Sequence, residues 1–427
     1  MKNLKQQDAE IYNLIKQEIS RQKDGLVMIP SENYASEAVL EAMGTPLSNK
    51  YAEGYPGKRY YTGNQYIDKI ENLAIERAKK LFNAEHANVQ PNAGSPANFE
   101  AYSAVLEHGD KILALDLSHG GHLTHGGKAN FSSKFYNFVY YGVDKETETI
   151  DMEKVREIAL REKPKMIITG ATAYPRTIYF EKFYAISKEI DAYLLADISH
   201  IVGLCLAGAH PNPMPFADVV TTTTHKTLRG PRSAVIVCKT EDRFQKKYHS
   251  GKKKNLAQRI DHAVFPGMQG GPLEHIIAAK AVCFGEALKP EFIEYQKQIV
   301  KNARILAEIL MENGVKLVSN GTDNHLMLIN CEFLGITGRQ GSEALARAEI
   351  YTNRNTIPFD NGSAFEPSGI RLGAPALTTR GMKEGEMKII GKMISDILHD
   401  INNEELILKI RGEVLEMTRM FPIYEGL

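Results

Sequence analysis

From about residue 66 to 285, short apolar runs alternate with helical patterns, and that alternation limits the fold more than any other feature of the chain. KILALDL, KMIITGA, YLLADI, VVTTTT and AVIVCK are each a strand's length and rich in Ile, Val, Leu or Thr. Between such runs lie helix periods, of which Ile67, Ile70, Leu73, Ala74 and Leu81 are one. Strand–helix alternation predicts an α/β fold with a mostly parallel sheet, whose strands are covered on both faces and read as continuous apolar runs. At 427 residues the chain is longer than a single core usually serves, so two domains are expected. Pro290 interrupts a long helical stretch, and Ile299, Ala303, Leu306 and Leu310 restart the period before a tail of α+β pattern. The expected division is therefore an N-terminal arm (1–28), a large domain (29–288) and a smaller C-terminal domain (289–427).

Lys plus Arg and Asp plus Glu both number 52, so the formal net charge is zero and no global basic field favours nucleic acid or anionic membrane. A small-molecule partner is expected. Cys205, Cys238, Cys283 and Cys331 are scattered without paired spacing, which suits reduced, buried thiols and a cytoplasmic location. Ile11, Leu14, Ile15 and Ile19 among charges describe an amphipathic N-terminal helix, not a signal peptide. No stretch approaches the roughly 18 apolar residues that span a bilayer.

Two of the strand-like runs end in reactive residues. YLLADISH closes on Asp197 and His200, and VVTTTTHKTLRGPR on His225 and Lys226. A strand-end lysine preceded by a buried-looking carboxylate is what a pyridoxal phosphate enzyme requires. The amine bonds to the cofactor's aldehyde carbon, and the carboxylate keeps the pyridine nitrogen protonated. Taken alone, Lys226 reads as an ordinary strand-end residue, and other segments must carry the argument. PNAGSPANFE offers Gly94, Ser95 and Asn98 at the start of a helical pattern, where free amides can face a phosphate, although Gly-Ser-Pro is also a common turn. LDLSHGGHLTHGG carries His119, His122 and His125 at spacing three. On a glycine-broken loop that spacing fixes no single face, and no nearby Cys or acidic ligand completes a set, so no metal is expected. One imidazole lying over a pyridine ring is the better use. Arg371 in SGIRLGAP is a candidate for the carboxylate of an amino acid. Glu53, in the tyrosine-rich loop NKYAEGYPGKRYYTG, is a candidate acid/base.

Together these segments resemble the serine hydroxymethyltransferase family. The resemblance runs in order through SEN, NKYAEGYPGKRYY, EHANVQPNAGSPAN, DLSHGGHLTHG, AYPR, HPNP, TTTTHKTLRGPR, VFPGMQGGP, GTDNHL, NTIPFD and SGIRLGAPALTTRG. It implies the type I fold of pyridoxal phosphate-dependent transferases, aspartate aminotransferase-like, and a homodimer whose active sites draw on both subunits. It implies transfer of the hydroxymethyl carbon of L-serine to tetrahydrofolate, giving glycine. The rival is a folate-independent aldolase acting on threonine-like β-hydroxy amino acids.

By the same resemblance Lys226 carries the cofactor, Asp197 pairs with its ring nitrogen and His122 stacks on the ring. Thr172 and His200 lie near the phenolic oxygen, and His225 precedes the lysine. Gly94 and Ser95 form the phosphate cup, joined from the neighbouring subunit by Tyr51 and the Gly270–Gly271 turn. Ser31, Tyr61 and Arg371 hold the amino acid, and Glu53 is the acid/base at its hydroxymethyl group. Leu117, Gly121, His122, Leu123, Asn355, Ser363, Ala364 and Phe365 form the folate side. Ala93 and Thr172 stand where the family often has serine, and Glu366–Pro367 also depart from its usual pattern. The basic cluster Lys246 to Lys254 is either a solvated loop or an attractor for the acidic polyglutamate tail of folates.

Overall fold

The computed structural model describes residues 2–363 and 365–426. The chain divides into two compact units, residues 33–297 and residues 1–32 with 298–427. The division falls inside the helix Pro290–Glu312, which Pro290 opens.

The larger unit is built on a seven-stranded sheet of β1 (His86–Asn88), β2 (Lys111–Leu115), β3 (Asn137–Tyr141), β4 (Met166–Thr169), β5 (Tyr193–Asp197), β6 (Val219–Thr223) and β7 (Ala234–Cys238). The spatial order is β1-β7-β6-β5-β4-β2-β3, with β7 antiparallel to both its neighbours and the other pairs parallel. The five apolar runs in the sequence are β2, β4, β5, β6 and β7. The two remaining strands escaped them because His86-Ala-Asn is short and polar, and Asn137–Tyr141 is only partly buried.

Alternation along each strand feeds two cores. Leu113, Leu115, Ile167, Leu194, Ala196, Val220, Val235 and Val237 face one side, and Ile112, Ala114, Met166, Ile168, Leu195, Val219 and Ile236 the other. Each buried Leu, Ile or Val contributes about 1.5–3 kcal/mol, so the sheet is a rigid platform for whatever its polar strand ends carry.

Three helices of this unit matter below: α1 (Gln65–Phe82), α2 (Gly94–Val105) and α3 (Glu274–Ala287). The inward face of α1 is Ile67, Glu71, Ala74, Ala78 and Phe82, whereas Leu73 of the predicted period is exposed. A buried glutamate in that stripe needs a partner, and it has one in Arg59.

In the smaller unit, β8 (Leu326–Asn330), β9 (Asn353–Asn355) and β10 (Gly369–Gly373) form an antiparallel sheet with β10 central. Leu26–Val27 pairs in parallel with Ile350–Tyr351. The helices α4 (Gly338–Arg347), α5 (Glu384–His399) and α6 (Glu404–Met420) contribute Leu345, Ile390, Ile394, Ile397, Ile407 and Val414 to its core. The N-terminal helix Ala9–Asp24 forms as the periodicity predicts, capped by Asp8, but Ile11, Leu14 and Ile15 are exposed.

Candidate active site

Asp197 is the last residue of β5 and stands in register with Thr221 of β6; Lys226 follows three residues after β6 ends at Thr223. Adjacent parallel strands thus deliver carboxylate and amine to the same edge of the sheet, where ligands bind in open α/β folds. Asp197 is buried and closely held. Its Oδ2 accepts from Asn98 Nδ2 at 2.8 Å and His125 Nε2 at 3.1 Å, and its Oδ1 from the Ser199 amide at 3.0 Å. Thr221 Oγ1 donates to Asn98 Oδ1 at 2.6 Å, which turns the amide nitrogen toward the carboxylate. His125 Nδ1 accepts the His122 amide, so Nε2 carries the proton that it gives to Asp197. Burial works to raise the pKa of Asp197, but His125, then the charge of His122 and Asn98, outweigh it and hold the carboxyl well below its usual range.

Lys226 is also buried, and its carbonyl accepts from Asn33 Nδ2 at 2.9 Å. Beside it, burial, then the charges of Lys226 and Arg232, push the His225 ring down to about 3. His225 is therefore neutral, and its buried Nδ1 has no hydrogen-bond partner among the described residues.

Helix α2 begins at Gly94, and Ala93 at its N-cap makes no side-chain cap. The first-turn amides thus have no intrahelical partner and face outward with the helix dipole behind them. A Cβ on Gly94 would stand 2.8 Å from Thr223 Cγ2, so only glycine lets the turn come this close to β6. Asn98, read from the sequence as part of this cradle, lies one turn inside the helix and serves Asp197 instead.

The three histidines part company. His119 Nδ1 accepts the Val143 amide at 3.1 Å, a structural bond, while His122 Nδ1 meets Thr124 Oγ1 at 2.7 Å. No acidic ligand was expected near them, yet the fold brings one from β5. Donor atoms of His122, His125 and Asp197 lie within 4.8 Å of one another. By geometry alone the set suits a divalent cation or a protonated ring nitrogen.

A second group gathers around the hairpin Gly54–Tyr55/Lys58–Arg59. The rings of Tyr51 and Tyr61 meet edge to face at 5.3 Å, and Glu53 raises the Tyr61 phenol by its charge and by a hydrogen bond. A Cβ on Gly270 would lie 3.2 Å from Glu53 Oε1, and one on Gly271 2.9 Å from the Tyr51 ring. Gln269 ties this turn to the loop before α2, accepting from the Asn92 amide and donating to the Gln90 carbonyl, both at 2.9 Å. Tyr51, Tyr60 and Tyr61 are nevertheless exposed at 54%, 76% and 46%.

The family model described as serine hydroxymethyltransferase matches residues 4–394 of the chain. The chain belongs to the serine hydroxymethyltransferase family. It is a pyridoxal phosphate-dependent enzyme of fold type I that converts L-serine and tetrahydrofolate to glycine, 5,10-methylenetetrahydrofolate and water. The residues on the page fit the cofactor. A buried amine, a carboxylate held anionic, the unpartnered Nδ1 of His225 and the open helix terminus beside Gly94 are what its aldehyde, ring nitrogen and phosphate require.

The other candidate residues named from the sequence are placed as follows. In the larger unit, the Thr172 amide donates to the Gly120 carbonyl at 2.8 Å, and His200 is buried in the turn after β5. Gly121 packs against the Leu115 carbonyl between the exposed side chains of Leu117 and Leu123. In the smaller unit, Arg371 sits in the central strand β10, donates from Nε to Asn353 Oδ1 at 3.1 Å, and is pushed down by burial to about 10, so it stays cationic at neutral pH. Ser31 is half-buried, Asn355 donates to the Thr356 carbonyl, the Ser363 hydroxyl accepts from the Glu366 amide, and Phe365 is exposed. Ala364 lies outside the described residues. In the basic cluster, Lys247 and Lys252 pair with Asp191 and Glu107, and Lys252, Lys253 and Lys254 line a cavity of about 610 Å³ floored by Phe99 and Met268. Sequence reasoning missed Ser199, Thr124 and Thr221 as supports of this site. Only the DISH spacing, which puts Ser199 two residues after Asp197, gave any signal.

Proposed function

We propose that Lys226 supplies the amine that carries the cofactor and that Asp197 faces the cofactor's ring nitrogen, with Asn98 and His125 holding the carboxylate. The observation that carries this reading is the delivery of Asp197 and Lys226 to one sheet edge by adjacent strands, with the carboxylate oriented by three donors. When bound, the cofactor offers an aldehyde carbon to an amine and a protonated ring that draws electrons from the substrate's Cα. His122 would cover the ring, Thr172 and His200 would stand by its phenolic oxygen, and His225, kept neutral, lies beside the lysine. Gly94 and Ser95 would hold the phosphate on the amides of α2.

Arg371 binds the serine carboxylate, since a buried guanidinium calls for a planar anion that accepts two bonds. Ser31 and Tyr61 complete that pocket. Glu53 takes the hydroxyl proton as the one-carbon unit leaves. Leu117, Gly121, His122, Leu123, Asn355, Ser363, Ala364 and Phe365 form the folate side, where exposed apolar residues suit a flat heterocycle.

The working unit is a homodimer whose sites use Tyr51, Glu53, Tyr61 and the Gly270–Gly271 turn of the neighbouring copy. Exposed tyrosines in that group and exposed Ile11, Leu14 and Ile15 support it, because apolar surface of this kind is normally covered. Four free, buried cysteines support a cytoplasmic location. Among the described residues no helix is long and apolar enough to cross a membrane.

The test of the central assignment is Lys226→Ala. It is expected to abolish multiple-turnover, tetrahydrofolate-dependent serine cleavage while the far-UV spectrum and thermal midpoint stay near those of the parent. Retention of most of the parent rate would remove Lys226 from the role.

A further inference from the structure

The acid/base candidate Glu53 is a partly exposed side chain on a short hairpin, a poor place for a group that must hold its position to within a fraction of an ångström. Its backbone is secured in an unusual way. The Arg59 side chain is almost fully buried, and Nη1 donates to the carbonyls of Ala52 at 2.8 Å and Gly54 at 3.0 Å, the residues on either side of Glu53. The carbonyl of Glu53 itself accepts the Tyr60 amide at 3.1 Å. Three consecutive carbonyls are thereby fixed.

The other donors of the guanidinium reach into the unit's core. Nε donates to Asp68 Oδ1 at 2.9 Å and Nη2 to Glu71 Oε2 at 2.6 Å, both on α1. Asp68 Oδ2 accepts the Gly57 amide at the hairpin turn. Gln90, two residues after β1, donates both to Glu71 Oε1 at 2.8 Å and to the Gly54 carbonyl at 2.9 Å. Glu274, at the start of α3 and three residues after Gly271, lies 4.0 Å from the same guanidinium. Burial opposes the charge of Arg59, but Glu71 and Asp68 more than restore it.

We infer that Arg59 is a positioning residue for Glu53, fixing the backbone on both sides of it to the core through Asp68, Glu71 and Gln90; the inference rests on the reading of Glu53 as proton acceptor. Only the planar fork of arginine can serve two carbonyls and two carboxylates at once. Lysine offers three donors from a single point and cannot span them. Arg59→Lys therefore keeps the charge and loses the bracket.

The experiment is a double-mutant cycle of Arg59→Lys with Glu53→Gln, read as kcat and KM for tetrahydrofolate-dependent serine cleavage. In the parent background Arg59→Lys should lower kcat by roughly tenfold to a hundredfold, the usual penalty of a misplaced acid/base, with KM for serine little changed. In the Glu53→Gln background the same change should lower kcat less than about twofold, because there is no longer a proton acceptor to misplace. Equal losses in both backgrounds, or a parent-like rate for Arg59→Lys, would overturn the inference and leave the reading of Glu53 standing. A parent-like rate for Glu53→Gln would overturn that reading and the inference with it. If Arg59→Lys does not fold, Asp68→Asn loosens the guanidinium at its outer edge while keeping the Glu71 pair. It should show the same background dependence at smaller amplitude, and equal losses in both backgrounds would again overturn the inference.

Discussion

Glu100, on the buried face of the cradle helix α2, carries a carboxyl into the core with neither oxygen hydrogen-bonded among the described residues. Burial pushes it up to about 8, against the opposing charge of Lys280. Relative to 4.5 for the free side chain, the folded-state value is raised. The contribution of the group is therefore complete below pH 4.5 and is lost as the pH rises through 8, at up to about 1.4 kcal/mol per unit. Glu100→Gln keeps the shape and removes the titration. Its thermal midpoint should match the parent at pH 5 and exceed it by several degrees at pH 8; an equal shift at both pH values would show that ionisation is not involved. Such a residue is also where sequence reading ends. Asp197 and Lys226 were legible because each terminates a β-branched or apolar run. The roles of Asn98 and His125 were not, because their bonds to Asp197 span 99 and 72 residues, and no local pattern encodes that closure.

At the scale of elements, the strands that carry the site were legible because they are buried on both faces and therefore uniformly apolar. The partly polar β1 and β3 gave no such signal, and the apolar period of α1 hid the inward Glu71, whose place is set by Arg59 rather than by hydrophobicity. The junction of β6 with α2 shows how closely such elements meet. Gly94→Ala would bring a methyl to within 2.8 Å of Thr223 Cγ2 and shift the helix terminus proposed to receive the phosphate. Pyridoxal phosphate titrated into the apoprotein should bind at least about tenfold more weakly, as expected for one or two lost phosphate contacts. Thr223→Ser removes that methyl while keeping the hydroxyl, so the double variant Gly94→Ala/Thr223→Ser should recover most of the affinity. Failure of the second change to rescue the first would show that the cradle does not depend on this contact.

At the scale of the whole molecule, residues 1–32 join the C-terminal unit through pairs such as Leu26–Ile350, a closure across more than three hundred residues that periodicity cannot show. What periodicity also cannot show is which surfaces are covered by another copy. The tyrosines of the Glu53 group and the apolar stripe of the N-terminal helix are open on a single chain, and these are the surfaces proposed to meet a second copy. If Glu53 serves the neighbour's Lys226, two defective variants should complement each other. Subunits carrying Lys226→Ala are mixed with subunits carrying Glu53→Gln and allowed to exchange. Each heterodimer then has one site with both defects and one site with neither. At equal random mixing half the dimers are heterodimers, so activity should return to about a quarter of the parent value, well above the residual rate of either variant alone. Differently tagged subunits that copurify, and so have exchanged, yet show no recovered activity would establish that Glu53 and Lys226 act within one chain.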